Sequence, residues 1–125
     1  MKASEEKCPF CLGNEKIFES EYVYARFDKY PVSKGHAMVI TKRHIPNYFE
    51  ASKLEKADIW QSVDHLKEIL EEEFKPDAFN IGVNVGEAAG QTVPHLHVHI
   101  IPRYEGDVAN PRGGVRGVIP SKQKY

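Results

Sequence analysis

A chain of 125 residues is long enough for one domain with a buried core and too short for two, so a single domain over residues 1–125 is expected. Charged residues make up 28% and the formal net charge is −1, which gives no global field for nucleic acid or an anionic membrane surface, and neither partner is expected. No apolar run approaches spanning length and the charged opening, Met1 to Lys7, is unlike a secretory leader, so a cytoplasmic protein is expected.

In chain order, the first feature is Cys8-Pro-Phe-Cys11, which holds both cysteines. That spacing suits metal or redox chemistry in a reduced compartment better than a disulfide framework. As a redox pair it lacks the strand that normally leads into such a motif. As half of a zinc site within residues 1–14 it needs two more ligands. Two ordinary cysteines are the third reading. Short strands are expected at residues 16–20 and 22–27, where Val, Tyr and Phe recur between polar residues, and Asp28 to Pro31 reads as a turn. Gly35 restarts an extended run over residues 36–41, and Pro46 lies beyond its end. Ser52 and Glu55 form a capping-box pair, and Leu54, Ala57, Trp60, Val63, Leu66, Ile69, Leu70 and Phe74 carry a helical apolar stripe towards Pro76. This is the one long helix.

Residues 80–85 alternate again, with Ile81, Val83 and Val85 on one face and Asn80, Gly82 and Asn84 on the other. A loop over residues 86–94 leads into His95-Leu-His97-Val-His99-Ile-Ile, a strand that Pro102 is expected to close. Residues 106–125 read as an extended arm with a net charge of +3 from Pro102 onward, suited to a small anion. Strands, one helix, then strands predict an α+β fold with a largely antiparallel sheet.

Alternation places His95, His97 and His99 on one face and Leu96, Val98 and Ile100 on the other. The apolar face accounts for the strand, while histidine has no strand preference of its own, so the imidazoles call for a chemical role. Same-face neighbours lie roughly 6.5 to 7 Å apart, so one metal reaches two of the row and hardly three. That favours division of labour. A ring whose proton is held on one nitrogen by a carbonyl can attack phosphorus with the other, and a second ring nearby can bind or protonate phosphate oxygens. Asn84, Gln91 and Thr92 offer neutral donors to an anion, and Arg103 offers charge.

Gly90-Gln-Thr-Val-Pro-His-Leu-His-Val-His-Ile-Ile-Pro-Arg-Tyr-Glu-Gly-Asp107 closely resembles the signature of the histidine-triad (HIT) nucleotide hydrolases and transferases, nearest to the branch that cleaves dinucleoside polyphosphates. Phe27-Asp28, Pro31 to His36, Val39-Ile40, Lys42 to Ile45 and Val83-Asn84 match as well, so the resemblance runs from Cys8 to Asp107. It implies a five-stranded antiparallel sheet with one long and one short helix, and a homodimer. It implies His97 as the nucleophile that takes up a nucleoside monophosphate, His99 as the phosphate or leaving-group contact, and His95 as their support. Asn84, Gln91 and Thr92 match phosphate contacts, Asp28 a ribose contact and Phe27 a wall of the base pocket. Some branches bind structural zinc with such a cysteine pair, which implies Cys8, Cys11, His44 and His95 as ligands. His36 is expected to be structural, and His65 solvated on the helix.

The predicted activity is hydrolysis or transfer at the α-phosphorus of a nucleotide conjugate, through a covalent nucleotidyl-histidine. A purine-nucleotide sensor without turnover, a phosphoramidate or acyl-adenylate hydrolase, and a zinc hydrolase with His97 and His99 as ligands are the rivals. Arg112 and Arg116 are candidates to reach a polyphosphate from the arm, and no organic cofactor is expected.

Overall fold

The computed structural model describes residues 7–13 and 15–125; the rest of the expected zinc segment, residues 1–6 and 14, lies outside the described residues. The strands β1 (Phe18–Glu19), β2 (Val23–Phe27), β3 (Ala37–Thr41), β4 (Ala78–Gly82) and β5 (His97–Arg103) form one antiparallel sheet in the order β1-β2-β3-β5-β4. Helices α1 (Pro9–Leu12) and α2 (Lys53–Phe74) complete the α+β fold. Among the described residues, no helix is long and apolar enough to cross a membrane.

Alternation divides the sheet chemically. Val23, Ala25, Ala37, Val39, Val98 and Ile100 face α2, whose Ile59, Val63, Leu66 and Leu70 lie at helical spacing and are buried against them. Tyr24, Met38 and Ile40 occupy the other face, where Phe10 of α1 packs on them. The apolar stripe expected on α2 is therefore shifted: Ile59 joins the core, whereas Leu54 and Trp60 are 62% and 42% exposed. Both lie outside the arc that reaches the sheet.

The start of α2 follows the sequence reading. Ser52 Oγ accepts from Glu55 N–H at 3.1 Å and Glu55 Oε1 accepts from Ser52 N–H at 2.8 Å, which completes the capping box. Glu55 is also buried against Arg43, with Oε1 2.7 Å from the guanidinium. The hydrogen bond from Arg43 holds its carboxyl below the usual carboxylate value, against the opposing effect of burial. A carboxyl lowered in the folded state stabilises above its unfolded pKa and ceases to do so as pH falls through the folded one. Glu55→Gln is expected to cost about 1–2 kcal/mol near pH 7, and the gap to wild type to narrow near pH 3, as read from denaturant melts at both pH values.

Several bounds differ from the sequence reading. Strand β1 keeps only two residues of the expected five, Phe18 and Glu19, because pairing with β2 ends there. Strand β4 begins two residues early and stops at Gly82, opposite His99. Of its expected apolar face, Val83 packs against the core, joined there by Phe79, whereas Ile81 is 42% exposed on this edge strand. Strand β5 begins at His97, so His95 precedes the ladder, and Pro102 lies inside the strand rather than after it. The Pro102 carbonyl accepts from Ser33 Oγ, on the side away from β4, so its nitrogen also faces the side where β3 has already ended. No ladder bond is lost there. The arm folds back instead of extending, through 3-10 turns at Gly114–Val118 and Pro120–Lys122. Arg112 and Arg116 each stack 4.8 Å from the Tyr125 ring centroid, so the arm itself engages them.

Candidate active site

Because β5 pairs with β3, His97 stands opposite Ile40 and His99 opposite Met38, both on the face away from α2. A cleft of about 730 Å³ opens over them, lined also by Phe10, Asp28, His36, Asn84 and Thr92. That volume suits a nucleotide-sized ligand. The His97 and His99 rings meet edge to face with centroids 5.0 Å apart, and Phe10 packs on His97 at 4.7 Å.

His97 Nδ1 lies 2.7 Å from the carbonyl oxygen of His95. A carbonyl only accepts, so the His97 proton sits on Nδ1 and Nε2 keeps its lone pair. Burial pushes the His97 pKa down; the His95 carbonyl opposes this, His99 adds to it and Asp28 opposes. Burial likewise lowers His99, reinforced by His36 and opposed by Asp28. The result is a neutral imidazole with a bare nitrogen next to a second neutral ring.

His95 turns out of this row. It is fully buried, its N–H donates to Val93 O, and its Nε2 lies 2.7 Å from the carbonyl oxygen of Thr41. That carbonyl fixes the proton on Nε2 and directs Nδ1 towards Cys8 Sγ at 3.3 Å, Cys11 Sγ at 3.4 Å and His44 Nδ1 at 3.1 Å. Cys11 Sγ is also 3.2 Å from His44 Nδ1, and one ligand atom from each of the four residues falls within 4.8 Å of all the others. Two sulfurs and two imidazole nitrogens, with a carbonyl behind one imidazole, fit a tetrahedral zinc.

The other expected contacts divide. Asn84 and Thr92 line the cleft, as does Asp28, whose Oδ1 also accepts from Tyr30 N–H at 2.8 Å in its own turn. Gln91 is buried elsewhere: its amide donates to the carbonyls of Pro46 and Val93 and accepts from Gly86 N–H, so it staples the loop. Phe27 points to the α2 side and meets Phe74 at 5.9 Å, as its parity with Val23 and Ala25 requires. Arg103 shares the parity of His97 but lies six residues on, about 20 Å along the strand. There it pairs with Asp107 at 2.8 Å and Asn80 at 2.6 Å, in a separate cleft of about 760 Å³. Gln91, Phe27 and Arg103 thus lie outside the lining of the cleft over His97 and His99. His65 is exposed, as expected, with its ring against Phe18.

Two cleft residues escaped the sequence reading. His36 was expected to be structural and hydrogen-bonded, outside the site, and its Nε2 lies 2.9 Å from His99 Nδ1. Its parity with Met38 and Ile40 is visible in the chain, but only the β3–β5 pairing brings that face to the triad. Phe10, between the cysteines, is set over His97 by α1, with the Tyr24 hydroxyl donating to its carbonyl.

A family model described as HIT domain matches residues 12–106. The chain belongs to the HIT family. Similar HIT proteins include protein hit of Bacillus subtilis, 39% identical over 109 residues, which covers 82% of this chain and 75% of that protein. The bis(5'-adenosyl)-triphosphatase of Dictyostelium discoideum is 37% identical over 97 residues, covering 78% of this chain and 65% of that enzyme. Among solved structures, a zinc-bound histidine triad family protein from Mycobacterium smegmatis superposes with a TM-score of 0.77 at 29% identity, over 86% of this chain and 82% of that one. As a HIT protein, this chain stands near the dinucleoside polyphosphate hydrolases, and its five-stranded sheet is that of the family.

Proposed function

We propose that this protein is a hydrolase that attacks the α-phosphorus of a dinucleoside polyphosphate with His97 Nε2. The observation that carries this reading is the bond from His97 Nδ1–H to the His95 carbonyl, which leaves a lone pair on Nε2 in the cleft. In the first step the Nε2–phosphorus bond forms and the phosphorus–oxygen bond to the departing nucleotide breaks, its electron pair leaving with that oxygen. The ring becomes a cation still bonded to the His95 carbonyl. Water then attacks phosphorus, the phosphorus–nitrogen bond breaks, and a nucleoside monophosphate and a proton are released. His99, Asn84 and Thr92 surround the phosphate, while Asp28 accepts from ribose hydroxyls. The names of relatives such as the bis(5'-adenosyl)-triphosphatase favour a phosphoanhydride over an amide or acyl substrate.

Cys8, Cys11, His44 and His95 would hold a structural zinc, which with four protein ligands supplies cross-linking and no activated water. That donor set ties α1, and with it Phe10, to the residue whose carbonyl orients His97. The exposed edge of β4, with Ile81, supports a homodimer, and the thiol ligands favour a reducing cytoplasm.

The test is capture of the intermediate. Enzyme mixed with a dinucleoside polyphosphate and quenched in alkali is expected to gain the mass of one nucleoside monophosphate, mapped to His97. Turnover of a good substrate with no adduct, under conditions that slow water attack, would replace this reading with direct hydrolysis.

A further inference from the structure

The cleft over His97 holds a charged side chain that the proposed reaction does not use, Arg26. Strand register sets Arg26 opposite Met38 and Met38 opposite His99, so one line across three strands runs from the triad to Arg26. Two strand spacings, about 10 Å, separate its ends. Asp28 follows on the same face, with its Oδ2 3.4 Å from His36 Nε2. With phosphate at His97 and His99 and ribose at Asp28, the base of a bound nucleotide comes over Met38 and against Arg26. We infer that Arg26 is a specificity-determining residue that reads this base and selects guanine. The inference rests on the functional reading above, in which a nucleotide occupies this cleft.

Arg26 is half-buried, and its guanidinium lies 5.8 Å from the Phe10 ring centroid. Gly13 leaves the room for it. The extended backbone there, at φ −65°, suits any residue, yet a Cβ would come 2.5 Å from Arg26 Nη1. The guanidinium is thus enclosed by Phe10 and Gly13 of the α1 segment. Its Nε–H reaches the Phe27 carbonyl at 3.4 Å, and among the described residues no carboxylate pairs with it. Its charge opposes the rise that burial imposes on the Tyr24 hydroxyl, which places that charge at this end of the cleft. A guanidinium offers donors only, in a planar fork. Guanine presents two adjacent acceptors, O6 and N7, which that fork pairs in bidentate fashion. Adenine sets its N6 amino donor beside N7, so one arm of the fork meets a donor and that bond is lost.

Calorimetry of the full-length protein with nucleoside monophosphates reads the base without turnover. GMP is expected to bind at least about tenfold more tightly than AMP, the scale of one bidentate pair. IMP, which keeps O6 and N7, is expected to match GMP within about threefold, and 7-deaza-GMP, which lacks N7, to fall most of the way to AMP. Arg26→Leu and Arg26→Lys are both expected to bring GMP down to the AMP level, because lysine keeps the charge but not the fork. The same preference is expected in kcat/KM for bis(5'-guanosyl) over bis(5'-adenosyl) tetraphosphate, carried by KM. Equal wild-type affinity for GMP and AMP, or a guanine preference that survives either substitution, overturns the inference and leaves the nucleophile standing. So does an equal loss of affinity for both nucleotides in the variants, which would make Arg26 a phosphate contact. If Arg26→Leu does not fold, the IMP and 7-deaza-GMP affinities of the wild-type protein decide. Binding of neither GMP nor AMP would overturn the functional reading and the inference together.

Discussion

His97→Ala is expected to lower kcat roughly 10⁴-fold or more while nucleoside monophosphate binding stays within about tenfold of wild type. The substitution removes the nitrogen that forms the covalent bond. Asp28, Asn84, Thr92 and His99, which line the cleft around the proposed nucleotide, remain. His97 packs on Phe10 and on the His99 ring, so some stability is lost as well, and turnover is to be compared well below the melting temperature. The distinguishing result is the split between chemistry and binding. Retention of more than about a tenth of wild-type kcat, less than about 1.4 kcal/mol in barrier, would exclude His97 as the nucleophile.

The second large effect concerns stability. Protein purified without chelator is expected to hold about one zinc per chain, and Cys8→Ser to lose it together with about 10 °C of melting temperature, equivalent to roughly 2–3 kcal/mol. Cys8 is fully buried beside His95, so its loss opens the cross-link between α1 and the residue before β5. Activity at low temperature is expected to persist in substantial part, because the bond from His97 to the His95 backbone does not use a zinc ligand atom. Elemental analysis that finds no zinc would end the metal assignment and leave the nucleophile untouched. Zinc loss that abolished turnover at every temperature would instead make the metal part of the chemistry.

Much of the architecture was legible in local patterns. Ser52 and Glu55 marked the start of α2 correctly, since a capping box satisfies backbone donors within four residues and needs no distant partner. Alternation likewise assigned Leu96, Val98 and Ile100 to the core and His97 and His99 to the opposite face. The bounds of β4 and β5 were less legible, because a strand ends where its neighbour ends. Pro102 remains in β5 only because β3 has already stopped beside it.

The chain by itself determined the residue types of the site and, through the resemblance around His95, His97 and His99, the family. It also carried the four zinc candidates, although Cys8 and His95 are 87 residues apart. The tertiary structure decided which groups work together. It placed Arg103 in another cleft, engaged Gln91 in its loop, turned Phe27 to the α2 side and brought Phe10 and His36 to the triad. The physical reason is that side-chain parity is local to a strand, whereas strand pairing and the packing of α1 act between distant segments. A hydrogen bond that sets a histidine tautomer depends on which atom of another strand or loop lies within about 3 Å, and no spacing along the chain encodes that distance.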